Sequence, residues 1–73
     1  MNEWLAQRAA ALGVDELTPD EMSLLLNIAG DAAHESGTRT NAPLLCYLVG
    51  RAQGSDTGGR SLADLAEILR STS

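Results

Sequence analysis

The residues best suited to chemistry lie along one polar strip of a helix predicted near the middle of the chain. Ser23, Asn27, Asp31 and His34 fall within about 40° of their mean direction when about 100° is counted per residue. Asp31 and His34 lie on adjacent turns, and a carboxylate that orients an imidazole is the core of a general-base unit. The sequence supplies no evident nucleophile, and a solvated helix face explains the same pattern. Both interpretations stay open at this stage.

A metal site is the second chemical possibility for this strip. Asp31 and His34 could supply two ligands, and Asn27 a third polar group, but no third strong protein ligand is evident. We therefore predict no metal and no cofactor. A small-ligand or metal-binding protein that uses Asn27, Asp31 and His34 remains the alternative function.

The single cysteine lies on a track of small residues in the third predicted helix. Ala42, Cys46 and Gly50 recur at intervals of one helical turn, opposite the apolar face of that helix. Such a track allows close approach by the first helix, the fourth helix or a second subunit. A reactive thiol is the alternative, but Arg51 is the only basic residue nearby in sequence that could favour the thiolate. One cysteine cannot form an internal disulfide, and it lacks the companions of a zinc site.

Trp4 and Arg8 form the last candidate pair. They stand one turn apart, so the guanidinium can lie over the indole. This is either a local surface pair or half of a partner-binding patch, since exposed tryptophan is enriched at interfaces.

Length and charge limit the function classes. The chain has 73 residues, which predicts a single domain over 1–73, and its apolar content of 44% argues against disorder. The net charge of −5, with no lysine, disfavours binding to nucleic acid and to anionic membranes. No basic leader and no apolar run of about 18 residues is present, so we expect a cytoplasmic protein.

Periodicity and capping signals predict an all-α domain, a compact bundle of four short helices. Leu and Ala dominate the apolar residues, and few are β-branched. Thr18-Pro19-Asp20-Glu21 is a capping box that starts the second helix, and Ser61 with Asp64 starts the fourth. The predicted spans are approximately 2–12, 19–35, 41–54 and 61–70.

Each helix has a predicted inner face. Helix II is apolar around more than half of its circumference, so we expect it to be central, with neighbours on more than one side. Its predicted inner stripe is Met22, Leu25, Leu26, Ala29 and Ala33, widened by Leu24 and Ile28. The apolar face of helix III is Leu44, Leu45, Leu48, Val49 and Ala52. Helix IV presents Leu62, Leu65, Ala66 and Leu69, with Ile68 at the edge.

Several of these residues resemble a known family pattern. They are Trp4-Leu5, Leu12-Gly13-Val14, Asp31-x-Ala33-His34 and Ala42-Pro43-Leu44 followed by Tyr47-Leu48-x-Gly50. Together they resemble a small bacterial domain of unknown function. That domain occurs alone or as a C-terminal extension of nucleotidyltransferases in molybdopterin-guanine dinucleotide biosynthesis. The resemblance implies a role beside molybdenum-cofactor chemistry. It does not imply the transferase reaction, whose Gly-rich loop and acidic metal ligands are absent here, and it supplies no catalytic residue.

We therefore expect a non-catalytic accessory module, not an enzyme, that binds a protein partner or forms a homodimer. Four short helices cannot cover all of the apolar residues, so we expect helix III or IV to lie at the interface with the partner or the second copy. The candidate interface residues are Trp4, Arg8, Ala42, Cys46 and Gly50, and the candidate functional face is Asn27, Asp31 and His34.

Overall fold

Local signals in the sequence place the ends of four helices in the computed structural model, which describes residues 1–55 and 59–72. The helices are α1 (Glu3–Leu12), α2 (Pro19–Ser36), α3 (Asn41–Ser55) and α4 (Leu62–Thr72). No strand occurs among these described residues. The prediction of an all-α domain with four short helices is confirmed.

Side-chain caps start three of the helices. The Thr18 hydroxyl accepts a hydrogen bond from the Glu21 amide at 3.1 Å, and the Glu21 carboxylate accepts one from the Thr18 amide at 2.8 Å. Ser61 and Asp64 make the same reciprocal pair at 3.1 and 3.0 Å. Asn2 caps α1 by accepting from the Leu5 amide at 2.9 Å. These bonds satisfy amides that would otherwise lack an intrahelical partner.

Left-handed glycines end the first two helices. Gly13 has a φ of 73° and Gly37 a φ of 71°, in a backbone region that residues other than glycine rarely adopt. The Gly37 amide donates to the Ala33 carbonyl at 3.1 Å, so the chain leaves α2 with its last turn closed.

The core lies where α2, α3 and α4 meet. Its buried centre consists of Ile28 from α2, Val49 from α3, and Leu62, Leu65 and Ala66 from α4. Each of these three helices contacts the other two, so the contacts do not single out α2 as the central helix that the sequence predicts. No polar or charged residue of the described ranges is buried.

The first helix lies outside this core. None of its Cα atoms comes within 8 Å of a Cα atom in another helix of the described chain. The radius of gyration is 12.7 Å, compared with about 11 Å for a close-packed chain of this length. Three helices therefore make the core, and α1 extends from it.

The predicted inner faces of α2 and α3 require correction. The sequence places Leu26 in the inner stripe of α2, but Leu26 is 73% exposed, whereas Ile28 and Ala32 are buried. In α3, Leu44 and Leu48 are 62% and 54% exposed. Both neighbours of α2 lie on the side of Ile28, and no helix of the described chain covers the opposite side. The inner face of α4 agrees with the prediction.

No helix among the described residues is both long enough and apolar enough to cross a lipid bilayer.

Candidate functional site

The polar strip of α2 is divided between two environments. Asn27, Asp31 and His34 are all exposed. Asn27 and Asp31 line a cavity between α2 and α4, and His34 does not line it. No hydrogen bond joins Asp31 to His34, although they lie on adjacent turns. The geometry therefore does not assemble the general-base pair that the spacing allows.

The cavity beside Asn27 and Asp31 is small. Its volume is about 60 Å³, whereas pockets for drug-sized ligands are about 300–1,000 Å³ and one water takes about 30 Å³. A nucleotide or a pterin would not fit inside it without movement of α4. Among the described residues, no group of three His, Cys, Asp or Glu side chains is placed to hold a metal ion.

The small-residue track of α3 faces α2 over part of its length. The Cys46 thiol is half-buried, and its sulfur lies 3.9 Å from the Leu25 carbonyl oxygen, to which it donates a weak hydrogen bond. Ala42 is half-buried as well, and Gly50 is exposed. Within the chain, the helix that approaches this track is therefore α2, and not helix I or helix IV. Cys46 is part of the packing between α2 and α3.

The aromatic pair on α1 forms as its spacing predicts. The Arg8 guanidinium carbon lies 4.1 Å from the centre of the Trp4 ring, and Trp4 is 61% exposed. A second pair on α3 was not predicted, although its spacing is the same. The Arg51 guanidinium carbon lies 5.9 Å from the centre of the exposed Tyr47 ring.

An apolar depression lies where the three core helices converge. Leu45 lies at its centre and lines three adjoining hollows, one between each pair of core helices. The α2–α3 hollow has a volume of about 330 Å³ and the α3–α4 hollow about 270 Å³. Leu48 is shared by these two. We call this surface the apolar bowl, and it comprises Ala32, Leu44, Leu45, Leu48, Ile68 and Leu69.

Charges of both signs lie around the apolar bowl, and Arg70 of α4 lines the same hollow as Asp31 and Glu35 of α2. Asp31 and Glu35, one turn apart on α2, form an acidic edge, and Glu35 lines two of the three hollows. Neither carboxylate makes an ion pair within the part of the chain that the structure describes. At the α4 edge, Arg70 is paired with Glu67 at 2.9 Å, and Arg60 lines the α3–α4 hollow.

Sequence reasoning did not single out Glu35, which lines two of the hollows, and it assigned Leu44 and Leu48 to the inner face of helix III. One available signal was the width of the apolar arc on α3. Leu44, Tyr47 and Leu48 together cover about 100° of the helix surface that faces away from Val49. A helix of a small domain cannot bury both sides, so part of this arc had to face outward.

Comparison with known proteins identifies a family and nothing more specific. No curated protein matches the chain, and no solved structure matches it either. One family model matches residues 1–73, the entire chain. The chain belongs to the family described as Domain of unknown function (DUF6457).

Proposed function

We propose that this domain is a non-catalytic accessory module that binds a partner protein through the apolar bowl. The observation on which this depends is the exposure of Leu44, Leu48 and Ile68 around two adjoining hollows that share Leu48. Isolated exposed leucines need no explanation, but contiguous apolar patches on small domains are typical of interaction sites.

The identity of the partner is the finer part of the proposal. The resemblance, which covers roughly Trp4 to Gly54, points to enzymes of molybdopterin-guanine dinucleotide biosynthesis, and it alone supports that association. The cavity beside Asp31 is too small to favour a cofactor-binding role. An accessory role beside a cofactor-handling enzyme is consistent with both points.

The direct test is a titration of the ¹⁵N-labelled domain with the molybdopterin-guanine dinucleotide nucleotidyltransferase from the same genome. We expect saturable shift changes or broadening at Leu44, Leu48 and Ile68, with Leu26 on the far side of α2 unchanged. Leu48→Ser should abolish them, and the matched variant Leu26→Ser should not. Absence of binding removes the molybdenum-cofactor association, and binding centred on α1 removes the apolar bowl.

Two further measurements separate this proposal from its alternatives. A thermal-shift screen against guanine nucleotides, pterins and divalent metals detects any ligand that binds only the folded state, because such a ligand raises the melting temperature. A shift that Asp31→Asn eliminates would instead favour a small-ligand protein. Sedimentation at micromolar concentration tests the homodimer, which should show two-fold symmetry if it forms.

A further inference from the structure

We infer that the occupant of the apolar bowl is a basic amphipathic helix, an inference that rests on the interaction role proposed above. Three properties lead to this partner: the shape of the bowl, the negative charge of its acidic edge on α2, and the net charge of the whole domain.

The shape of the bowl suits a helix. Two hollows follow α3 from Asn41 to Ala52 and share Leu45 and Leu48. Eleven residue steps of helix extend about 17 Å, which is about three turns. A helix of that length presents apolar side chains one turn apart, and these could fill the successive hollows. An extended strand has no partner here, because the described residues contain no sheet edge.

The acidic edge selects the charge of the partner. Asp31 and Glu35 are like charges one turn apart on α2, an arrangement that disfavours the isolated helix. Neither carboxylate makes an ion pair within the described residues, and Glu35 lines the α2–α3 hollow. Lysine or arginine on the flank of a bound helix would relieve this repulsion. Removal of water by the apolar contacts beside it would strengthen that attraction.

The net charge of −5 supports the same choice. A basic peptide is attracted over about a Debye length, whereas a second copy of this chain is repelled. A homodimer through the bowl would double the charge, so the two occupants predict opposite responses to salt.

The test uses three labelled peptides of about 14 residues, a length that covers the bowl. The first has leucines at helical spacing and lysines on the flanks, and the second has glutamates in place of the lysines. The third has the composition of the first in a scrambled order. Fluorescence anisotropy with the full chain should show saturable binding of the first peptide. The other two peptides should bind more weakly, by at least about ten-fold.

Two pairs of variants connect that binding to the bowl. The double substitution Asp31→Asn with Glu35→Gln should weaken binding of the lysine peptide by about 2- to 30-fold and reduce the salt dependence of that binding. The control removes two charges elsewhere, by Asp15→Asn with Glu16→Gln in the exposed segment before α2, and should have a smaller effect. Leu48→Ser should weaken binding of the lysine peptide by at least about ten-fold, whereas Leu26→Ser should retain the affinity of the unchanged chain. Circular dichroism checks that each variant is folded.

Specific results would overturn the inference. Equal binding of the lysine and glutamate peptides would remove the charge selection, as would equal effects of the two double variants. Binding of the scrambled peptide with equal affinity would show that nonspecific charge attraction, and not a helical arrangement of leucines, accounts for the interaction. Dimerisation that Leu48→Ser abolishes, with no peptide bound, would assign the bowl to a second copy. In that last case the apolar bowl remains an interaction surface, so the proposed function and this inference fail separately.

Discussion

The helices α1 and α4 have nearly the same length and similar starts, yet they differ in what they bury. They contain 10 and 11 residues, and each begins at a polar side chain that accepts a hydrogen bond from a backbone amide. Helix α4 buries Leu62, Leu65 and Ala66, whereas α1 buries only Ala9. Capping therefore sets where a helix begins and does not determine how much it stabilises the fold.

The difference arises from tertiary contacts. Leu65 belongs to the cluster formed by all three core helices, while no Cα atom of α1 lies within 8 Å of a Cα atom in another helix of the described chain. In proteins, most of the stability of a short helix comes from packing of its apolar face rather than from propensity. We therefore expect α4 to unfold with the whole domain and α1 to open locally.

The most severe test of this comparison is truncation of one leucine in each helix. Leu65→Ala should lower the free energy of unfolding by about 2–5 kcal/mol, because it removes buried methyl groups and leaves a cavity. Leu5→Ala in α1 should cost less than about 1 kcal/mol, because Leu5 is more exposed. Urea denaturation followed by circular dichroism measures both. Similar losses would show that α1 belongs to the core.

Removal of the two caps gives a smaller contrast. Ser61→Ala should cost about 0.5–2 kcal/mol of global stability, because the fourth helix cannot unfold without the core. Asn2→Ala should fray α1 and leave the unfolding midpoint almost unchanged. Amide hydrogen exchange distinguishes the two cases, since only α1 amides should lose protection in the second variant. Loss of protection throughout the domain after Asn2→Ala would contradict the peripheral position of α1.

Substitution of Leu26 on α2 tests whether the exposure of a leucine predicts how much its truncation lowers the free energy of unfolding. It is apolar and mid-helix, but no helix of the described residues packs on its side. Leu26→Ala should change the unfolding free energy by less than about 0.5 kcal/mol, as exposed substitutions usually do. Leu25→Ala, at a position packed against the core, should cost distinctly more. A greater cost at Leu26 than at Leu25 would mean that α2 buries its Leu26 side and not its Ile28 side.

The smallest expected effect concerns the acidic edge. Asp31→Asn removes a like charge one turn from Glu35 and should raise stability by a few tenths of a kcal/mol at low salt. The gain should fall as salt is added, because exposed charges are screened. His34→Ala is the control and should be close to neutral. A large loss from Asp31→Asn would place Asp31 in a structural network instead of at an open edge.

Local sequence determined the helix boundaries almost completely. Thr18-Pro19, Ser61, Gly13 and Gly37 specify hydrogen bonds or backbone angles within a few residues of themselves, so no distant contact is needed to interpret them. The inner face of α4 was predictable for a related reason. Its apolar residues occupy one narrow stripe, and only one orientation buries them.

Tertiary structure decided which sides of α2 and α3 are buried, and with them the apolar bowl. Both helices are apolar around much of their circumference, so several rotations bury similar areas and the sequence of either helix cannot choose among them. The choice depends on where the neighbours lie: α3 and α4 both pack on the Ile28 side of α2, while α1 packs on none of them. The outward position of Leu44, Leu48 and Glu35 follows from that arrangement, because the burial of each residue depends on all three core helices at once.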